Sequence, residues 1–502
     1  MNKLDRQQDV DVLLIAEGSY PYVSGGVSAW VDTLINQMPD INFGVVFLGA
    51  SPDQYQGFHY KLPKNVIYFT EHFLFDYAQA KELSPPLTDV QLETLHDLHD
   101  SFTGCEHDKS IASQIYKMMP ASDSCHHHKK NHISKQKTWQ FIADNYQKKS
   151  GNPEFINYLW TIRNMHEPTW AAMRLLPKLP KAKLIHTIST GYAGFIAALL
   201  RQRDDNAMLL TEHGIYTKER RIDLLQSSIT PEPRRLHQHQ QVDYLRELWI
   251  RFFNTLARIT YEQSNHICSL YCGAQASQEE DGANPSIQSV IPNGVAVEKF
   301  APCRHKLNAN KKRICLLGRV VPIKDTKNFI YAVKVLEDAK QDIEAWITGS
   351  MAEDQEYVLE CKKLVKTLKL ENKIIFTGEK AVTEVYPQID LVVLSSISEA
   401  MPLVVLESMA SGVPCVTTDV GSCRELIYGV TEADKKLGAS GYVVPTAAAE
   451  ELAKGIINML DPLAWEAASQ AGISRVLKFY TLEKMIEKYR DLYVSLSSAK
   501  QD

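Results

Sequence analysis

Two glutamates stand eight positions apart in Ser398-Glu399-Ala400-Met401-Pro402-Leu403-Val404-Val405-Leu406-Glu407, directly after the apolar run Leu391–Leu394. A proline is best tolerated in a helix's first turn, so Pro402 predicts a helix that starts there. Glu399 then lies on a strand-to-helix loop and Glu407 inside the helix, more than a turn along, so the two are not one carboxylate pair. The backbone between them, Met401 to Val404, is a helix N-terminus, where unsatisfied N–H groups and the dipole favour a phosphate or a sugar oxygen. Pro402 itself donates nothing. A second stretch, Gly318-Arg319-Val320-Val321-Pro322-Ile323-Lys324-Asp325, follows the apolar run Ile314–Leu317. A guanidinium plus an ammonium on such a loop can neutralise a phosphate or diphosphate without a metal.

Gly25-Gly26 separates a first apolar run from a helical pattern, and glycines let backbone amides approach an anion or sugar with no Cβ in the way. Thr211-Glu212-His213-Gly214-Ile215-Tyr216 ends another apolar run, which makes His213 the candidate imidazole and His186 a lesser one. Lys218, Arg220 and Arg221 follow closely and could steer a phosphate, but a run of charges is more often a solvated loop. Asp9-Val10-Asp11 resembles a metal-binding aspartate pair but falls at the start of a strand, remote from any ligand edge. The cluster Cys105, His107, Cys125, His126, His127, His128 and His132 contains zinc-type ligands, but its irregular spacing in a polar stretch reads as a surface loop. No metal is expected.

These motifs need strands that end at them. Val10–Ala16 is a short buried strand; Val27, Trp30, Val31, Leu34, Ile35 and Met38 recur at helical spacing; Phe43–Leu48 is a second strand. Strand, glycine loop, helix and strand open a doubly wound α/β fold. Residues 73–180 break the rhythm and read as a helical insertion. Alternation resumes from Leu184 to Leu270, and a second series of strands and helices runs from Ile314 to Thr417, with terminal helices near Glu450–Leu460 and Leu482–Ser497. The expected organisation is an N-terminal Rossmann-like domain (1–300), a polar linker (301–312), a C-terminal Rossmann-like domain (313–480) and a final helix (481–502) packing back toward the first domain. Ligand loops at the strand ends of both domains would then face one another across a cleft.

With 502 residues the chain exceeds one hydrophobic core, and 55 basic against 60 acidic residues give a net charge of -5, too weak a field to gather nucleic acid or anionic membrane. No signal peptide is legible, and no run reaches the roughly 18 apolar residues of a membrane span, Gly191–Leu200 coming nearest. Nine cysteines scattered through apparent core strands fit a reducing cytosol. A soluble cytoplasmic protein able to dock at a membrane is expected.

The spacing Glu399 to Glu407 resembles the E-x7-E motif of retaining glycosyltransferases of family 4, which have the two-domain GT-B fold. The resemblance implies that Glu399 bonds hydroxyls of the donor sugar, that Glu407 holds the nucleotide ribose, that Arg319 and Lys324 take the diphosphate, that Gly25-Gly26 forms the donor and acceptor loop, and that His213 contacts the transferred sugar. Ala400 stands where glycine is common. Further, Tyr20-Pro21-Tyr22-Val23-Ser24-Gly25-Gly26-Val27-Ser28, Thr211–Tyr216 and Gly318–Asp325 are similar to the PelF-like glycosyltransferases of Pel exopolysaccharide synthesis. That implies a UDP-sugar donor, with UDP-glucose foremost, a polysaccharide acceptor and inner-membrane Pel synthesis and export proteins as partners. The competing readings are a non-hydrolysing UDP-sugar epimerase and a non-catalytic scaffold of a polysaccharide synthase complex.

Overall fold

The structure is a computed structural model and describes residues 10–75, 97–102, 111–117, 136–149, 154–226, 244–308 and 312–498. The chain divides into two compact units. The first takes the described residues of Met1–Ser269, Gln275–Ser289 and Arg490–Asp502; the second takes those of Leu270–Ala274 and Val290–Tyr489.

The first unit is built on a seven-stranded sheet of β1 (Val10–Glu17), β2 (Phe43–Gly49), β3 (Val66–Phe73), β4 (Ala182–Thr187), β5 (Ala207–Glu212), β6 (His266–Ser269) and β7 (Gln288–Val290), in the order β3-β2-β1-β4-β5-β6-β7. The pairings from β3 through β6 are parallel. This is doubly wound order, with the chain reversing direction across the sheet between β1 and β4. The helix Gly26–Asn36 buries Trp30, Val31, Leu34 and Ile35, the face its spacing predicts. The helix Tyr192–Asp204 is buried on every side from Tyr192 to Leu200. Its uniformly apolar sequence therefore belongs to a core helix, and among the described residues no helix is long and apolar enough to cross a membrane. β3 is a strand that alternation did not reveal. Val66 and Tyr68 are buried, but the outer half is Thr70-Glu71-His72 on an edge strand. Between β3 and β4 the described residues are helical, as expected, in Ile111–Lys117, Gln136–Lys149 and Phe155–Leu175. They are part of the unit's own core, since Ile115, Phe141, Tyr158 and Met165 share one cluster with Leu13 and Ile15 of β1.

The second unit repeats the plan with β8 (Lys312–Leu317), β9 (Ile343–Thr348), β10 (Ile374–Gly378), β11 (Leu391–Leu394), β12 (Cys415–Thr418) and β13 (Gly441–Val444). Their order, β10-β9-β8-β11-β12-β13, is the same winding, all parallel, with its reversal between β8 and β11. Residues 301–308 are packed into this unit, contrary to the expected linker. Cys303 is buried with its thiol toward Thr383 O at 3.6 Å, and Arg304 Nε donates to Ala410 O at 3.0 Å. Polar composition misleads here because the chain is held by backbone acceptors. The helix Pro462–Phe479, also not anticipated, starts with Asp461 capping Leu463 and Ala464 and turns inward a face of Trp465, Ala468, Ala471 and Val476. Small residues and a buried Arg475 obscure that stripe. The terminal helix Leu482–Ser498 has its last residues in the first unit, where Arg490 binds Asp40.

Candidate functional site

In the second unit the two sequence motifs meet at the reversal point of the sheet. Arg319 and Lys324 follow β8, Glu399 follows the neighbouring β11, and β8 pairs with β11 through Leu391 with Ile314 and Val393 with Leu316. Two donors reaching main-chain carbonyls, the Ser395 hydroxyl shared between two of them, lock the loops together. Ile397 N donates to Ile323 O at 2.9 Å, and Ser395 Oγ donates to Lys324 O and Asp325 O at 2.9 and 3.0 Å. Within this frame Lys324 Nζ is ion-paired with Glu399 Oε1, which also accepts from Ser396 Oγ at 2.6 Å. Their side chains are only 21% and 13% exposed, whereas Arg319, paired with Glu353, and Glu353 itself are each 53% exposed. Lys324 and Glu399 are thus fixed, and Arg319 is held by a solvent-facing contact of little strength.

The helix after Glu399 is Leu403–Ala410, and Pro402 is its N-cap rather than part of its first turn. Among the described residues no side-chain bond caps this end. Val405 N is bonded to Pro402 O, so Leu403 and Val404 carry the helix's first N–H groups, which have no partner within the helix itself. Glu407 lies on the helix as expected. The single Tyr386 O–H is shared between Glu407 Oε2 at 3.3 Å and Val404 O at 3.1 Å. Burial pushes the Glu407 carboxyl up from 4.5 to about 7, against the smaller opposing pull of the Tyr386 bond and the Lys299 charge. A raised carboxyl means that the folded chain holds this proton more tightly than the unfolded one. Its contribution to stability is therefore complete below about pH 4.5 and is lost as pH rises through about 7. Thermal melts of Glu407→Gln should show a smaller loss of stability between pH 5 and pH 8 than the parent chain; equal losses would contradict this environment.

In the first unit His213 lies just beyond β5, buried, with its ring edge-on to Trp30 at 4.4 Å between centroids. Trp30 belongs to the helix that Gly25-Gly26 opens, so the structure brings His213 and the glycine loop's helix together. Burial lowers His213 to about 3, leaving the imidazole neutral, and among the described residues its Nε2 meets no hydrogen-bond partner. Neighbouring Glu212 is fully engaged: it accepts from Tyr261 OH at 2.7 Å, Gln278 Nε2 at 2.9 Å, Tyr216 N at 3.1 Å and Thr190 Oγ1 at 3.2 Å. It anchors the turn that presents His213. Gly25 is extended and Gly26 starts the helix; a Cβ at either would meet nothing within 4 Å. Packing among the described residues therefore does not demand the pair.

His186 does not join them as an available imidazole. Its Nδ1 lies 2.8 Å from Tyr493 OH and its Nε2 2.9 Å from Thr211 Oγ1, so both nitrogens serve the core. Lys218, Arg220 and Arg221 are on the helix Tyr216–Gln226 rather than a loop, with Arg220 over the Tyr216 ring and paired with Asp223 at 3.2 Å.

Residues 10–286, more than half of the chain, match the family described as domain of unknown function DUF3492. The chain belongs to that family. Residues 298–467, which hold every donor-side candidate of the second unit, match the glycosyl transferases group 1. The UDP-Gal:alpha-D-GlcNAc-diphosphoundecaprenol alpha-1,3-galactosyltransferase of Escherichia coli is 24% identical over 226 residues, 42% of this chain and 55% of that protein. The lipopolysaccharide core biosynthesis mannosyltransferase LpsB of Rhizobium meliloti is 30% identical over 223 residues, 41% of this chain and 61% of that protein. The chain thus spans little more than half the length of these curated relatives. Among solved structures, Anabaena HepE in complex with UDP and glucose aligns with a TM-score of 0.57 at 14% identity, covering 97% of this chain and all of that one. Sucrose-phosphate synthase from Thermosynechococcus elongatus aligns with a TM-score of 0.60 at 16% identity, covering 98% of this chain and all of that one. At such identities the likeness shows the fold: two Rossmann-like domains of the GT-B kind.

Three contributors were not legible in the sequence. Ser396 holds Glu399, and Tyr386 holds Glu407. Gly421, after β12, is left-handed at φ 50° and presses so closely on the Glu399 and Ala400 carbonyl oxygens that a Cβ would overlap both. Ser422 N donates to Ala400 O at 2.8 Å. The close backbone approach in this loop is therefore made by Gly421, with Ala400 in an ordinary conformation. A polar Ser395-Ser396 pair ending a buried strand was the available signal; Gly421 had only its place after β12. Asp11 pairs with Lys183 at 2.8 Å and accepts from Asn42 N, consistent with a solvated strand start, while Asp9 and the Cys105 to His132 cluster lie outside the described residues. Among the described residues no group of three His, Cys, Asp or Glu is placed to hold a metal.

Proposed function

We propose that this chain is a retaining, metal-independent glycosyltransferase that moves a hexose or N-acetylhexosamine from a UDP-sugar, UDP-glucose foremost, to a growing exopolysaccharide. The observation that carries the reading is the Lys324–Glu399 pair beside the uncapped start of Leu403–Ala410, at the reversal point of the second sheet. Doubly wound sheets bind ligands at that point. The match of residues 298–467 to the glycosyl transferases group 1 supports it, as does the fold shared with a protein solved with UDP and glucose.

On this reading the diphosphate sits against Lys324, Arg319 and the N–H groups of Leu403 and Val404. These groups stabilise the negative charge that grows as the bond from the anomeric carbon to the diphosphate oxygen breaks. Glu399, released from Lys324 by the incoming phosphate, takes hydroxyls of the sugar, and Glu407 takes the ribose. Retention follows from front-face attack: the acceptor oxygen bonds the anomeric carbon on the face the diphosphate leaves, and the departing phosphate oxygen takes the acceptor's proton. In the first unit, Gly25-Gly26 and the neutral His213 are the candidate acceptor-side groups. A nucleotide-sugar donor places the reaction in the cytosol. The PelF-like motifs point to an exopolysaccharide acceptor made with inner-membrane Pel synthesis and export proteins.

The test is incubation with UDP-glucose, UDP-N-acetylglucosamine and GDP-mannose, following UDP or GDP release and the anomeric configuration of products by NMR. Transfer from a UDP-sugar into an α-linked product supports the reading. An epimerised UDP-sugar formed without acceptor, or no turnover of any donor, would overturn it.

A further inference from the structure

The segment Pro292-Asn293-Gly294-Val295, on which none of the sequence motifs falls, threads between the donor-side loop and the start of the terminal helix, all within the second unit. Asn293 is 5% exposed. Its backbone N–H points to Met401 Sδ at 3.2 Å, and its Nδ2 donates to Met401 O at 3.4 Å. Its Oδ1 is buried and meets no partner among the described residues. On the other side, Gly294 N points to Met485 Sδ at 3.3 Å, and a Cβ at Gly294 would lie 2.7 Å from both Leu482 Cα and Thr481 O. Val295 closes the seam, donating to Tyr480 O at 2.9 Å and accepting from Leu482 N at 3.1 Å. The turn is therefore pinned on one side, chiefly by backbone contacts, and offers a single amide side chain to Met401 on the other.

Met401 immediately precedes Pro402, the residue that starts the helix Leu403–Ala410 and cannot cap it with a side chain. Keeping an amide beside it with one buried polar atom unsatisfied costs stability, so packing alone would favour an apolar side chain. We propose that Asn293 is a positioning residue for nucleotide binding: by holding Met401 it fixes the direction in which Leu403 and Val404 present their N–H groups to the donor's diphosphate. The inference rests on the reading of this loop as the nucleotide-diphosphate site, and goes beyond it in assigning a residue outside every motif.

The probe is UDP, titrated calorimetrically into the full chain, with the KM for UDP-glucose and kcat measured alongside. Asn293→Ala and Asn293→Asp, the second keeping size but losing the Nδ2 donor, should both weaken UDP about tenfold and raise KM by a similar factor, with kcat changed less than threefold. Leu452→Ala, a core truncation elsewhere in the unit, controls for lowered stability and should leave UDP affinity unchanged. If the parent chain binds UDP and both Asn293 variants bind it as tightly, the positioning role is wrong while the function stands. If the variants lose affinity only in proportion to melting temperature, as Leu452→Ala then also would, Asn293 is merely structural. If the parent chain itself fails to bind UDP, the reading of the site fails first.

Discussion

Replacing Lys324 with alanine should lower kcat by about a hundredfold to a thousandfold, the range seen when one preorganised donor to a developing negative charge is removed. Two effects act together. The diphosphate loses an ammonium at the moment its charge grows, and Glu399, 13% exposed, loses its ion partner and keeps the Ser396 hydroxyl. A mostly buried carboxylate that has lost its cation beside a phosphate site repels the substrate, so donor KM should rise as well. Glu399→Gln keeps the Ser396 contact and removes that repulsion. The double variant Lys324→Ala/Glu399→Gln should therefore be less impaired than the product of the single losses, because the two residues share one interaction. Initial rates of UDP release at saturating donor decide this. A Lys324→Ala enzyme within threefold of the parent would remove Lys324 from the chemistry.

Gly421→Ala should be nearly as damaging, although no sequence motif includes that residue. A methyl group there would overlap Ala400 O and Glu399 O, both main-chain atoms that cannot rotate away. The left-handed conformation adds roughly 1–2 kcal/mol for any residue with a Cβ. The loop carrying Glu399 must shift, and a displacement of about 1 Å in a positioned group is enough to cost about a hundredfold in rate. Ala400→Gly, by contrast, should leave the rate within a few-fold, since Ala400 has no left-handed conformation to relieve. Steady-state rates of the two variants, read beside their melting curves, test the contrast. Equal activity of Gly421→Ala and the parent would show that the loop after β12 does not govern Glu399.

The parts of the fold that were legible were those where burial and spacing coincide. β1, β2, β8 and β11 are nearly continuous apolar runs because both faces of a parallel strand are covered, and Gly26–Asn36 shows one clear stripe. β3 and β13 were not, because edge strands carry polar or exposed side chains, such as Glu71 and Tyr442. The helix Pro462–Phe479 was hidden because its inward face includes Ala468, Gly472 and Arg475, whose guanidinium is buried against Asp434.

For the candidate site, residues with reactive or charged side chains were visible: Glu399, Lys324, Arg319 and His213 come after strand ends, and Glu407 lies on the helix that follows β11. His186 shows the limit of that reasoning, since its place at a strand end is the same but its two nitrogens are taken by Tyr493 and Thr211, one of them far away in sequence. Residues that act through others, such as Ser396, Tyr386, Gly421 and Asn293, carry no signature until the contacts are known.

On the proposed reading the second unit holds a nucleoside diphosphate against Arg319, Lys324 and the start of Leu403–Ala410. The most direct test is calorimetric titration of the purified chain with UDP, GDP and ADP, repeated on Arg319→Ala. Selective binding of UDP, weakened at least tenfold in the variant, is the expected result. Binding of none of the three nucleotides, or UDP binding that Arg319→Ala leaves unchanged, would contradict it.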